Sequence, residues 1–569
     1  MLSRTARRLL AAALPLFAAA SPAPPAAAAP APAYDVVIRG GTIYDGSGKT
    51  PFTGDVGIKG DRIAFVGRRI RGRGKTEIDA AGLAVAPGFI NMLSWATESL
   101  VVDGRGQSDV RQGVTLEVFG EGSSTGPLNA EMKAKEEARQ ADVRFPVEWT
   151  TLDEYLRMLE RRGVSPNVAS LVGASTVRVH EIGPNDVDPT PEQLERMKAL
   201  VRQAMNDGAL GVGSSLIYTP GAYAETPEII ALVREAGRCG GTYMSHLRDE
   251  GPRLLEAVDE LIEIAEKAGT RAEIFHLKQS GRDNWSKLDA VIARVEAARA
   301  RGIPITANMY TYAASATGFD AAMPLWVQEG GVEAWAARLK DPAQRARVIA
   351  EMRSLKGSEY MKLVVEEPEK ALLLGFKTEA LKPLTGKTLA EVAKMRGKTA
   401  EETVADLVAE DGTRVRVAYF VMSEANVTRQ MTLPWMSFGS DASAQAPEGV
   451  FLKSSTHPRA YGTFARVLGK YARDEKTLSL QEAVRRLAAL PAANLRIKER
   501  GTLRRGYFAD VVAFDPASIR DHATFAKPQQ FATGMRHVFV NGGHVIRDGE
   551  HTGAMPGRVV RGPGWNKCK

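Results

Sequence analysis

The chain has 569 residues, of which 44% are hydrophobic, 25% charged and 7% aromatic, and its formal charge is +8, three of it from Arg4, Arg7 and Arg8. With two cysteines, Cys239 and Cys568, neither a disulfide framework nor a multi-cysteine zinc site can organise the fold, and with no basic run longer than a few residues there is little to hold nucleic acid. At about 150 residues per domain the length allows three or four domains, although one barrel can absorb more than about 250.

Residues 1–30 read as an export signal: a short positive region, an apolar run from Leu9 to Ala20, then small residues and prolines, with cleavage expected between Ala20 and Ala33. The run is too short to span a bilayer, and no later stretch approaches the roughly 20 apolar residues a membrane helix requires. The expectation is an exported protein, periplasmic or secreted, with no stable membrane insertion. Arg7-Arg8 is compatible with the twin-arginine route, and no cysteine follows the apolar run to carry a lipid.

The segments YDVVIRGGTIYD, DVGIKGDRIAFVG and GLAVAPG are β-branched runs separated by Gly and Asp turns and predict a small antiparallel sheet. ADVVAFD and HVFVNGGHVIRDGE repeat this texture near the other end, so residues 34–85 and 500–560 are expected to build one β-domain, a small β-sandwich, from both termini. Across residues 86–499, short apolar strands alternate with amphipathic stretches such as EQLERMKALVRQAMNDG and RLLEAVDELIEIAEKAG. That alternation predicts an α/β fold of βα units around a parallel sheet. Eight candidate strands, PGFINML, VTLEVFG, VASLVGA, ALGVGSS, GTYMSHL, AEIFHLK, ITANMYTY and MSFGSDA, fit a (β/α)8 TIM-like barrel. Residues 318–410 exceed what one crossover helix needs and read as an inserted lid, with a surface helical hairpin as the alternative.

In a barrel, residues at the carboxyl ends of the strands meet around one pocket. His246 and His276 both end apolar runs, about one βα unit apart, so two neighbouring strands present imidazoles to one place, a geometry suited to zinc. Asp441 ends the last candidate strand, where a carboxylate can move a proton between water and a leaving nitrogen; taken alone, its Ser-Asp step also suits a helix cap.

The order of APGFIN, the QGVT step, the two strand-end histidines, FGSDAS, HPRAYGTF and LRRGYFADVVAFDP resembles the metal-dependent amidohydrolases, and within them the D-aminoacylase (N-acyl-D-amino-acid deacylase) branch, from Tyr34 to the C-terminal tail. The resemblance implies substrate contacts at Lys278 and Arg459 for a carboxylate and at Tyr310 for the scissile carbonyl. It also implies metal ligands at positions occupied here by Leu93, Trp95 and Glu121. Leucine and tryptophan cannot ligate, whereas glutamate can. The resemblance thus implies one zinc per chain, held by Glu121, His246 and His276. His457 matches the family's motif as a loop support. Ala316 stands where the family carries a substrate-contacting hydroxyl, and Gly173-Ala174-Ser175 lacks another of its histidines.

The function so implied is hydrolysis of a C–N amide bond in a small carboxylate-bearing substrate, an N-acyl-D-amino acid, with Asp441 as general acid and base. Two alternatives remain at this point: a cyclic amide or lactone hydrolase of the same superfamily, and a barrel that binds a small molecule without catalysis. Oligomeric state is not readable from the sequence.

Overall fold

The computed structural model describes residues 33–568, so the expected export signal lies outside the described residues. Eight parallel strands form a barrel: Phe89–Asn91, Val114–Phe119, Asn167–Ser170 running on into Val172–Gly173, Gly211–Ser215, Thr242–His246, Ala272–Ile274, Ile305–Met309 and Met436–Phe438. Two hydrogen-bonded groups of strands are joined into a ring at their edges. Leu210 N donates to Ser170 O at 2.9 Å and Met92 N to Phe438 O at 3.2 Å, with a parallel bridge between Ser94 and Ala442 beyond the last contact. These strands are buried on both faces, as strands filled from inside and covered by helices must be, and they read as apolar runs for that reason.

The covering helices start and stop where the sequence punctuates them. Pro191–Asp207 begins with a capping box, in which Thr190 accepts from Gln193 N and Gln193 reaches back, and ends at Gly208, whose φ of 104° suits only glycine. Its Met197, Val201, Ala204 and Met205 are buried, the spacing of one helical stripe. Leu254–Ala268 buries a similar stripe and also ends on a left-handed glycine, Gly269.

The two chain ends meet in one nine-stranded sheet. Strands Tyr34–Ile43, Phe52–Lys59, Arg62–Gly67, Gly74–Asp79 and Ala84–Pro87 join Val511–Phe514, Met535–Val540, Gly543–Arg547 and Glu550–His551. The sheet is mixed: Tyr34–Ile43 pairs in parallel with both Gly74–Asp79 and Ala84–Pro87. The expectation of a wholly antiparallel sheet fails there because residues 60–83 carry the chain back across the sheet, reversing the usual alternation. Asp510 fastens this sheet to the barrel: it accepts from Asn541 N at 2.8 Å and pairs with buried Arg500, while Asn541 Nδ2 reaches Asn167 Oδ1 at 2.7 Å.

Between the seventh and eighth barrel strands the chain builds an insertion of its own. Three antiparallel strands, Ser315–Gly318, Ala371–Gly375 and Arg416–Tyr419, carry helices including Val332–Lys340, Pro342–Arg353, Glu359–Glu366 and Ala400–Asp411. Tyr360 on this insertion reaches to 3.5 Å from Glu250 Oε2, at the loop after the fifth barrel strand, and Trp285 Nε1 donates to Val421 O at 2.9 Å. The insertion therefore packs over the carboxyl ends of the strands.

The two cysteines bond to each other across 329 residues of sequence, with Cα atoms 5.3 Å apart. One bond is not a framework, but it pins the C-terminal tail beside the end of helix Thr226–Arg238.

Candidate metal centre and active site

His246 and His276 end neighbouring barrel strands, and their rings lie 4.5 Å apart, nearly perpendicular. His246 Nδ1 lies 2.9 Å from the Leu247 carbonyl. That bond places the proton on Nδ1 and leaves the Nε2 lone pair facing inward. Glu121 follows the second strand, and its Oε1 lies 2.7 Å from His276 Nε2. Ligand atoms of Glu121, His246 and His276 all lie within 4.8 Å of one another, and all three side chains are buried. Two imidazoles and one carboxylate are a donor set that suits zinc. The residues fit a metal ion.

Electrostatics sets the two histidines apart. Burial pushes His246 down to about 4, so it is a neutral ligand at ordinary pH. Burial and the Lys278 charge oppose protonation of His276, yet the Glu121 and Glu250 carboxylates together outweigh them and hold it up at about 9. A metal ion entering the site must therefore displace a proton from His276, so uptake is favoured as pH rises.

Around this cluster stand groups of two kinds. Asp441 Oδ2 pairs with Arg459 Nη1 at 2.7 Å, and its Oδ1 accepts from Trp95 Nε1 at 3.0 Å. The same indole N–H lies 3.1 Å from Glu121 Oε2, so Trp95 bridges the two carboxylates. Burial raises Asp441 above the ordinary carboxylate range against the pull of Arg459. Asp441 and His276 hold left-handed backbone, with φ of 49° and 33°, a conformation costing about 1–3 kcal/mol for such residues and concentrated at functional sites. Arg459 lies over the Tyr310 ring, 4.5 Å from its centroid, and donates to Ala316 O at 3.3 Å. The Tyr310 hydroxyl is directed at Met422 Sδ, 3.4 Å away, a weak acceptor. Lys278 is buried; it bonds Glu250 and lies 2.8 Å from His276 Nδ1, so here it neutralises Glu250 behind the histidine instead of lining open space. His457 fixes the loop that carries Arg459, with Nε2 3.0 Å from Ala314 O and Nδ1 accepting from Arg459 N.

Glu250 was not singled out from the sequence. It is buried, 3.7 Å from His246 Nε2 and 3.4 Å from His276 Nδ1, and the adjacent cations hold it ionised against burial. Its position four residues beyond His246 is the one signal that could have found it. The bridging indole of Trp95 was likewise invisible, since only the fold brings residues 121 and 441 to one N–H.

Beneath the Asp441 loop, Asn91 accepts from Ser440 N at 2.9 Å and shares its amide protons among Ser440 Oγ, Asp109 Oδ2 and Glu117 Oε2. Burial, and then the Glu117 charge, hold Asp109 well above the ordinary range, and burial raises Glu117 also. The folded chain thus keeps a proton that the unfolded chain releases above about pH 4, so this pair costs stability progressively as pH rises from there. Asp109→Asn is expected to stabilise the protein near pH 7 by on the order of 1 kcal/mol and to change little at pH 4. Denaturant midpoints measured across that range check it, and an offset independent of pH contradicts it.

Comparison with known proteins places this geometry. Residues 137–546 match the model of the amidohydrolase family. The chain is 32% identical to a D-aminoacylase of Alcaligenes xylosoxydans xylosoxydans, over 93% of this chain and 97% of that one. It is also 32% identical to an N-acyl-D-aspartate deacylase of the same organism, over 94% and 96%. Among solved structures, it superposes with a TM-score of 0.76 and 27% identity on N-acyl-D-glutamate deacylase from Bordetella bronchiseptica, complexed with zinc and a phosphonate inhibitor, over 93% of this chain and 99% of that one.

Proposed function

The chain belongs to the amidohydrolase family, and from that premise we propose that it hydrolyses the amide bond of an N-acyl-D-amino acid, with one zinc ion held by Glu121, His246 and His276. The observation that carries this is the convergence of those three buried donors beside Asp441 and Arg459 at one end of the barrel. A zinc ion in this donor set supplies Lewis acidity to the scissile carbonyl and acidifies the attacking water.

The other roles fall to the chain's own side chains. Asp441 takes a proton from water and delivers it to the leaving nitrogen, and its raised proton affinity suits both transfers. Water adds to the carbonyl carbon, the C–N bond breaks, and the products are a carboxylate and a free D-amino acid. Arg459 offers a planar fork to the substrate carboxylate, with its approach fixed by stacking on Tyr310 and by Ala316 O. Lys278 adds positive charge from behind His276. The Tyr310 hydroxyl, held among the described residues by a thioether, is free to donate to the developing oxyanion.

What supports one ion is that Leu93 and Trp95, at the positions of a second site, cannot ligate a metal, and that the Trp95 N–H lies between Glu121 and Asp441 as a neutral donor. What supports export is the N-terminal segment together with the Cys239–Cys568 bond, since such bonds persist in oxidising compartments.

The test is acetate release by the zinc-loaded protein from N-acetyl-D-leucine and N-acetyl-L-leucine, with ring opening of hydantoin to N-carbamoylglycine followed alongside. Turnover of the D enantiomer alone is expected. Turnover of hydantoin with neither acylated amino acid cleaved would replace this reading with a cyclic amide hydrolase.

A further inference from the structure

The sixth barrel strand, Ala272–Ile274, parts from the seventh irregularly, and the residue at the irregularity is His276. Ala272 N donates to Pro304 O at 3.1 Å, and a parallel ladder advances evenly in two-residue steps, so continued pairing would bring His276 N to Asn308 O. That carbonyl is taken instead by Leu277 N, at 2.9 Å. His276 is thus one extra residue before the last bond of the ladder, and it holds the left-handed φ of 33°. An extra residue of this kind acts as a bulge does, re-aiming a side chain beside a functional site. If the register slipped back by one, the imidazole would turn to the opposite face of the strand.

The inserted residue of a bulge loses its ladder partner, and an unpaired buried N–H is costly. Asn308, on the seventh strand, supplies the acceptor from its side chain, with Oδ1 2.9 Å from His276 N. A side-chain amide has an oxygen end and a nitrogen end, and only the oxygen serves here. Glu273 decides which end faces His276. Asn308 Nδ2 donates to Glu273 Oε1 at 2.8 Å, and the same carboxylate accepts from Thr306 Oγ1 at 2.8 Å and Asn494 Nδ2 at 2.9 Å, with Ser437 Oγ 3.3 Å from Oε1. Glu273 and Asn308 are both buried, and all four of these partners are neutral. The carboxylate therefore orients amides and hydroxyls and neutralises no cation.

We propose that Asn308 is a positioning residue for the metal ligand His276, and that Glu273 acts through it by holding the amide one way round. This rests on the reading of Glu121, His246 and His276 as the metal site and is independent of the substrate. It gives a role to two buried polar residues that neither hydrolysis nor substrate binding uses.

The experiment strips the protein of metal, measures the zinc dissociation constant by competition with a chelator, and records the visible spectrum after loading with cobalt(II), whose bands read donor geometry. Asn308→Ala is expected to weaken zinc binding by about 10–100-fold, the cost of losing an outer partner of a metal ligand, and to change the cobalt bands. Asn308→Asp keeps an acceptor for His276 N but sets a second carboxylate against Glu273, and it should also weaken zinc. Combining Asn308→Asp with Glu273→Gln restores a donor and an acceptor between the two positions in the opposite sense, and it should recover at least about tenfold of the lost affinity together with the parent spectrum. A merely structural role would lower the denaturant midpoint of Asn308→Ala and leave zinc affinity and the cobalt bands as in the parent, which overturns the proposal. If Asn308→Ala does not fold, the other two variants decide, and equal zinc affinity in the single and the double variant overturns it. A parent protein that takes up neither zinc nor cobalt overturns the metal reading and this proposal together, whereas unchanged metal binding in every variant overturns this proposal alone.

Discussion

Asp441→Asn is expected to lower kcat/KM by about 10²–10⁴-fold, the range of a general acid–base contribution, while zinc content stays that of the parent. The amide preserves the shape of the loop and can still accept from Trp95 Nε1, but it cannot take a proton from water. The three donors proposed for the metal do not include Asp441, so elemental mass spectrometry should find no change in the variant. Steady-state kinetics with the preferred substrate checks the rate. A loss smaller than about fivefold would assign the proton transfer to another group, with Glu250 the next buried carboxylate.

The second large effect belongs to Glu121. Replacing it by Ala removes the one carboxylate of the donor set and leaves His246 and His276 facing a gap, and two imidazoles alone make a weak site. Zinc is expected to fall from close to one ion per chain in the parent to a small fraction, and activity should fall with it. Tightly bound metal, measured by elemental mass spectrometry on protein purified without added zinc, is the readout. A parent protein that carries no metal after refolding with zinc would favour a barrel that binds its ligand without hydrolysis. Zinc retained by Glu121→Ala would move the third ligand to Glu250, 3.7 Å from His246 Nε2. In the same experiment, two ions per parent chain would show that the indole of Trp95 swings aside.

The barrel strands were legible because each is a short apolar run ending in a polar residue, and burial on both faces demands that pattern. His246, His276 and Asp441 were legible for the related reason that a barrel gathers its strand ends at one mouth. Glu121 came from its place after the second strand in a pattern resembling a known family, and the structure brings it to 2.7 Å from His276. The resemblance implies a substrate contact for Lys278, and the folded chain adds a partner for it in Glu250, a residue whose position in a charged loop gives no sign that it points inward. Cysteine arithmetic was right that no framework exists, but it could not foresee that residues separated by 329 positions would meet.

The sequence by itself determined the order of elements, the barrel, and the residue types available at its mouth, because periodicity, caps and turn residues act over a few positions and leave local marks. Tertiary structure alone decided which charged groups face one another. The Trp95 N–H stands between Glu121 and Asp441, and Asn494 comes to rest beside Glu273, only because strands and loops hundreds of residues apart are closed into a ring. Electrostatic partners are set by distance in space and by the loss of water around them, and neither quantity is written in sequence spacing.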